Sequence, residues 1–301
     1  MDAVRPTPAL STLTAGSPMT PTRATPSRTA SAKPTPQPTP TPRATRLNID
    51  PSTLPSPDLS PYTTAQIRFA IAAWPMRAAQ ELRSALVFRA LAAAARAVAV
   101  PAPWPSRFFA AARDEVRHAR LCAIVGEELG AEPPAWDVSV VHARLGALPN
   151  ASSRVAALLL VEVAIGETIS SHLFRAGQRA AVEPLTRAAL GAILRDEVRH
   201  QRLGWDALAA LWTTLDEPRR AAMQRTAAAG LASCEHDVAL PALRRLEANA
   251  PFDPAYAALG VLHPETRVEA FYRAVERQIA PRLDRLGLDG RRAWRDRYRA
   301  C

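Results

Sequence analysis

The sequence predicts an all-α fold: a four-helix bundle with a long crossover between helices 2 and 3, followed by extra C-terminal helices. Three observations lead there. Alanine, leucine and arginine, all strong helix formers, dominate the chain from Pro61 onward. Prolines and glycines cut this part into segments of helical length. The widest gap between segments lies in the middle of the first four, and short loop, long crossover, short loop is one known way to connect a bundle.

Residues 1–61 come first and are expected to form a disordered arm. They hold 14 of the 28 prolines, many in a Thr-Pro alternation from Pro34 to Pro42. Such a segment buries little apolar area, and each proline removes a backbone donor. It has no apolar run of the kind that marks an ordinary secretory signal. A transit-like or Pro-rich docking arm stays open, as does a later start at Met19.

Residues 62–301 form the helical domain, with the main bundle over about 65–213 and C-terminal helices over about 217–287. Helix one starts near Thr63 and Thr64, whose hydroxyls can cap it, and runs towards Val98; Pro75 should kink or split it. Pro101, Pro103 and Pro105 mark a turn. Helix two covers about 106–128 and stops at Gly130. Residues 131–150 are a connection too long for a tight hairpin. Helix three covers about 151–176 and stops at Gly177. Helix four runs from Glu183-Pro184 to about Thr214. Further helices are expected over 217–240, broken before Pro241, and over 265–287.

The formal net charge is +10, and of the 38 basic residues only Lys33 is a lysine. The arginines alternate with acids along the helices, as on a solvated face, so no nucleic-acid partner is expected. The densest basic stretch, Arg291 to Arg299, reads as a solvated final helix or frayed tail. Cys122, Cys234 and Cys301 are far apart and form no CxxC, which suits a reducing cytosol and a cytoplasmic location. No stretch of about 20 apolar residues is free of charge, so no transmembrane helix and no membrane partner are expected.

The chemistry lies in a repeat. Asp114-Glu115-Val116-Arg117-His118 recurs letter for letter as Asp196-Glu197-Val198-Arg199-His200. Upstream, Glu81 precedes Phe88-Arg89-Ala90 by seven residues, and Glu167 precedes Phe174-Arg175-Ala176 by the same seven. The chain therefore contains two similar helical hairpins, each with one Glu on its first helix and a Glu-x-x-His on its second. The offset between copies is 86 residues at the lone Glu and 82 at the motif, four extra residues that the Pro101–Pro105 turn can hold. Glu and His at i and i+3 share a helix face, so both can point into the bundle.

Pairing the hairpins pools four carboxylates and two imidazoles in one interior. Four buried carboxylates without counter-charge are prohibitive, since desolvating one ion costs several kcal/mol. Two divalent cations would neutralise them. Oxygen and imidazole donors favour iron or manganese over structural zinc, which is usually four-coordinate and often thiolate-bound. Asp114 and Asp196 can orient a ligand histidine by accepting its other ring N–H. Arg117 and Arg199 either steady those aspartates or lie on the surface.

The pattern Glu…Glu-x-x-His…Glu…Glu-x-x-His resembles the ferritin-like di-iron carboxylate superfamily, over about residues 65–213. That group includes ribonucleotide reductase small subunits, bacterial hydroxylases, rubrerythrins and N-oxygenases of the p-aminobenzoate type. The resemblance implies two iron ions, or an Fe/Mn pair, held by Glu81, Glu115, His118, Glu167, Glu197 and His200, with Asp114 and Asp196 behind the histidines. It also implies dioxygen or peroxide as a reactant, a small-molecule substrate and an electron donor; a homo-oligomer is compatible. The N-oxygenases carry an additional His one turn before the last Glu, where this chain has Ile193, so arylamine N-oxygenation is disfavoured.

Three functions follow from the resemblance. The first is an oxidoreductase that activates dioxygen to oxidise an organic substrate. The second is a ferroxidase or peroxide scavenger related to ferritin or rubrerythrin; the helices after Thr214 fit a ferritin cage subunit poorly. The third is a non-enzymatic bundle with structural metal. Glu162 is a rival to Glu167 but has no counterpart in the first repeat, where Met76 stands. Ser171, matched by Ala85, either leaves room beside the metals or packs helices closely. His172 reads as a packed histidine. His142, His236 and His263 are assigned no role, and Cys234-Glu235-His236 reads as a chance triplet.

Overall fold

The first helix begins where the sequence offers a cap. Thr63 Oγ1 accepts from Gln66 N while Gln66 Oε1 accepts from Thr63 N, and α1 follows as Thr64–Ala97. In the computed structural model, residues 54–132 and 151–299 are described, and every regular element among them is helical. The expected crossover (all but its first two residues), His142, Cys301 and the arm up to residue 53 lie outside the described residues. Residues 54–61, assigned above to the arm, carry Leu54 and Leu59 against the core beside Tyr62, and Asp58 N donates to Glu183 Oε1.

Pro75 does not split α1, which runs through it. Helix α2, Trp104–Glu128, begins just ahead of the expected Ser106, with Pro105 in its first turn where a missing N–H costs nothing. Gly130 follows its end at φ +96°, a conformation that favours glycine. Helix α3 joins Ala151–Leu158, a π-helical stretch Leu159–Gly166, and Glu167–Ala180, continuing past Gly177, where it was expected to stop. Helix α4, Pro184–Trp212, is capped by Glu183, whose carboxylate accepts from Leu185 N and Thr186 N.

Beyond these, α5 joins Glu217–Cys234, π-helical Glu235–Ala239 and Leu240–Glu247. The short α6 is Pro254–Ala258. Helix α7 joins Pro264–Ala274, π-helical Val275–Ile279 and Ala280–Arg285, and α8 is Gly290–Asp296, followed by a 3-10 turn, Arg297–Arg299. The predicted break before Pro241 does not occur. Pro241 and Pro281 each stand just past a π-helical stretch, whose wider turns do not require the i to i−4 bond that proline cannot make.

Helix α1 packs along α2, the C-terminal half of α3 along α4, α2 against α4, and α1 against the start of α3. Helix α5 lies on the π-helical stretch of α3, and α7 packs on α3 and α5. Two apolar clusters form the interior, one with Phe88, Phe108, Leu160 and Leu208, the other with Trp74, Val125, Phe174 and Ile193. On α1 the boundary between them falls from Ala78 to Val87, on α2 from Ala112 to Leu121, and on α4 from Ile193 to Trp205. All three gaps hold the repeated acids and histidines. Segment 154–180, which carries Glu162 and Glu167, is long and apolar enough by composition to cross a membrane, and 61% of its most apolar window is buried inside the fold, as in the core helix of a bundle.

Candidate metal centre

The two motif helices supply the geometry directly. Glu115 and His118 sit one turn apart on α2, Glu197 and His200 one turn apart on α4, and all four are buried. Glu81 from α1 and Glu167 from α3 complete the layer, also buried. All six predicted side chains are brought together. Donor atoms of Glu81, Glu115, His118 and Glu197 lie within 4.8 Å of one another, as do those of Glu115, Glu167, Glu197 and His200. Glu115 and Glu197 belong to both groups, so two ions would share them.

The contacts inside the layer are close but not hydrogen-bonded. His118 Nδ1 lies 3.4 Å from Glu81 Oε2, 3.4 Å from Glu115 Oε2 and 3.2 Å from Glu197 Oε1. His200 Nδ1 lies 2.6 Å from Glu115 Oε1, yet neither atom has a hydrogen-bond partner in proper geometry. Glu197 Oε2 and His118 Nδ1 are likewise shut from water and unpaired. Four buried polar atoms aimed at a common space and left unsatisfied would cost about 1–3 kcal/mol each. A cation between them removes that cost, and the donor set fits one.

The outer ring nitrogens are tied down crosswise. His118 Nε2 is 3.2 Å from Asp196 Oδ2, and His200 Nε2 is 3.2 Å from Asp114 Oδ2. An aspartate accepting from Nε2–H leaves the lone pair on Nδ1, the nitrogen that faces the layer. Arg117 spans both aspartates, at 2.7 Å to Asp114 and 2.6 Å to Asp196, and Arg199 also pairs with Asp196. Of the two readings for these arginines, contact with the aspartates is the one observed; Arg199 remains largely exposed.

With protons as the only counter-charge, the acids titrate unequally. Burial, with the charges of Glu197 and Glu115, pushes Glu81 up to about 8 despite His118 beside it. Burial and the same two carboxylates raise Glu167 as well. Glu115 is buried too, but the imidazoles of His118 and His200 hold it down to about 2. His200 is pushed up to about 9, because Asp114 and Glu115 outweigh its burial. The layer can hold protons or cations, and it favours positive charge.

Glu162 stands outside: it forms an ion pair with Arg83 at 2.8 Å. Ser171 is buried with an unpartnered hydroxyl one turn beyond Glu167. His172 is packed as expected, its Nδ1 2.9 Å from the Thr168 carbonyl. Cys234, Glu235 and His236 form no donor group among the described residues, but Glu235 has a structural role. It is buried, accepts from Tyr272 Oη at 2.9 Å, and pairs with Arg297 at 2.6 Å. The final arginines otherwise form the solvated helix that was expected, with Arg291, Arg292, Arg295 and Arg299 exposed; Arg297 is the exception, anchored on Glu235 and stacked on Trp294.

A cavity of about 530 Å³ reaches the layer at Glu81, walled by α1, α3, α4, α5, the chain before α7 and the first turn of α7. Of its lining residues the sequence reading assigned only Glu81 to a site; apart from Glu81 and Phe174 they belong to no repeat. The chain matches no protein-family model, no curated protein and no solved structure.

Proposed function

We propose that this chain is a ferritin-like, non-haem di-iron or Fe/Mn carboxylate oxidoreductase, a four-helix bundle with a crossover from α2 to α3, that oxidises a small organic substrate with dioxygen. The observation that carries this reading is the pair of overlapping donor groups, each with three carboxylates and one imidazole, sharing Glu115 and Glu197. Carboxylate-rich, thiolate-free donors suit iron and manganese. When bound, such a metal pair supplies the electrons that reduce dioxygen or peroxide.

The chain's own residues do the rest. Glu81, Glu115, Glu167 and Glu197 offset the cationic charge, and Asp114 and Asp196 hold the histidine rings with Nδ1 inward. The apolar clusters on either side keep bulk water from the layer. An adjoining cavity large enough for an organic molecule favours substrate oxidation over ferroxidase or peroxide-scavenging activity and over a purely structural metal. An electron donor in a reducing, cytoplasmic compartment belongs to the same reading.

The test is metal content and optical spectrum of the purified full chain, loaded with ferrous iron without air and then exposed to it. Two ions per chain and oxygen uptake coupled to an organic product support the reading. Ferric mineral formation without product favours ferroxidase, and a metal that never reacts with oxygen favours a structural role. Absence of stoichiometric metal overturns all three.

A further inference from the structure

We propose that the cavity beside Glu81 binds an organic carboxylate, its acid group held by Arg77 and Arg267 and its apolar body lying towards Glu81. Calling that ligand the substrate rests on the oxidoreductase reading above; the carboxylate site itself does not.

The argument begins with charge. Arg77, Arg245 and Arg267 all line the cavity. Among the described residues none of the three has a carboxylate within ion-pair distance, whereas Arg83, Arg117 and Arg199 each do. Two acids share the lining. Asp237 is paired with His236 at 3.1 Å, and Glu81 belongs to the donor group with His118. The cavity is therefore cationic beyond what its own acids offset, and it is half-buried, where an unmatched charge is costly.

Arg77 is the most specific sign. Its Nη2 donates to the Gly260 carbonyl at 3.0 Å, and its guanidinium stacks on Trp74 at 4.5 Å from the ring centroid. Those contacts fix its plane, while Nη1 is buried against the cavity wall and has no acceptor. A small shift of that wall would let one oxygen of a planar acid satisfy the orphaned N–H. Burial lowers the pKa of both guanidinium groups, against the charge of Glu81 at Arg77, and the charge of Arg77 lowers Arg267 further, so the two side chains stand near one another.

The rest of the lining suits a carbon skeleton. Leu173 and Phe174 of α3, Phe252 and Leu262 form apolar walls, and the volume lies in the range that holds small organic ligands. Arg77 and Glu81 are four residues apart on α1, about 6 Å along the helix. An acid anchored at Arg77 thus places its body, not its head group, next to the metal layer. A bare inorganic anion would leave those walls uncovered.

The experiment is calorimetric titration of the full chain with 3-phenylpropanoate and octanoate, each beside its primary amide, and with inorganic phosphate. Metal content is measured on the same samples. Acids should bind at least about tenfold tighter than their amides. Arg77→Met and Arg267→Met should each weaken the acids by about tenfold or more and leave the amides unchanged. Among the described residues the Arg267 side chain has no hydrogen-bond or ion-pair partner, so its variant keeps the test valid if Arg77→Met melts early. Equal binding of acid and amide, unaltered binding in Arg267→Met, or phosphate binding as tightly as the acids would each overturn the proposal. Acid binding to metal-free protein that never acquires iron keeps this site and sinks the oxidoreductase reading; stoichiometric metal without acid binding does the reverse.

Discussion

Asp196 on α4 reaches across to His118 on α2, its Oδ2 3.2 Å from Nε2, while Asp114 does the same for His200 in return. Each motif therefore orients the histidine of the other copy, and the two hairpins are locked as a pair. Replacing Asp196 by Asn puts a group there that can donate as well as accept, so the His118 tautomer is no longer enforced. Metal affinity should fall about 10–100-fold, as for other carboxylates behind ligand histidines. Competition against a chelator of known affinity measures this, and an Asp196→Asn protein that holds iron as tightly as the parent refutes the orienting role.

Shared and unshared carboxylates should differ in stoichiometry. Glu115 and Glu197 belong to both donor groups, Glu81 and Glu167 to one each. Glu115→Gln should weaken both ions, because it takes an anionic donor from each group. Glu167→Gln should keep one ion, in the group that contains Glu81 and His118. Metal per chain after gel filtration decides between the patterns, and equal losses in the two variants would mean the groups are not separate.

The metal-free protein should lose stability as pH rises above neutrality. Glu81 is raised to about 8 and His200 to about 9 in the fold, above their ordinary values of 4.5 and 6.5. Groups raised on folding favour the folded state below their ordinary pKa and lose that contribution as pH climbs through the raised one. Glu115, held down to about 2, acts oppositely: its contribution is present above 4.5 and fades on acidification. Tm of chelator-treated protein should thus decline from about pH 6.5 to pH 9, and the gain from added metal should widen over the same range. A flat Tm across that window contradicts the layer's protonation.

The helices and the six converging side chains were legible because a repeat displays them twice. A letter-for-letter DEVRH and matching upstream glutamates carry the same face of two hairpins, and tertiary structure only has to pair them. Backbone register within α3 was not legible. Residues 155–165 are apolar on all sides except at Glu162, so no stripe reveals where α-helical turns widen to π. Arg77 and Arg267 were invisible for another reason: 190 positions of chain separate them, and neither belongs to a motif. Glu235 and Arg297 are hidden the same way, 62 residues apart.

That last pair predicts a structural, not a chemical, effect. Glu235 is buried and meets Arg297 through two contacts, at 2.6 and 3.2 Å. Arg297→Met leaves a buried carboxylate without its cation and should cost about 3–5 kcal/mol in urea denaturation. Metal stoichiometry in the folded variant should be unchanged, since Glu235 is in neither donor group. A loss below about 1 kcal/mol would show the pair to be solvated after all.

The π-helical stretch of α3 offers the sharpest link between packing and the metal layer. A Cβ at Gly204 of α4 would lie 2.9 Å from Ala164 N and 2.8 Å from Val163 Cγ1, inside that stretch and just ahead of Glu167. Backbone stands on one side of the clash, so a flexible side chain cannot absorb it. Gly204→Ala should therefore push α3 and α4 apart, costing about 1–3 kcal/mol of stability. Because Glu167 follows that stretch directly, the ion sharing Glu167 and His200 should be the one weakened, while the ion at Glu81 and His118 stays. Two-site metal titration of Gly204→Ala distinguishes this from general loosening, in which both sites weaken together and the proposed coupling between the π-helical stretch and one half of the centre fails.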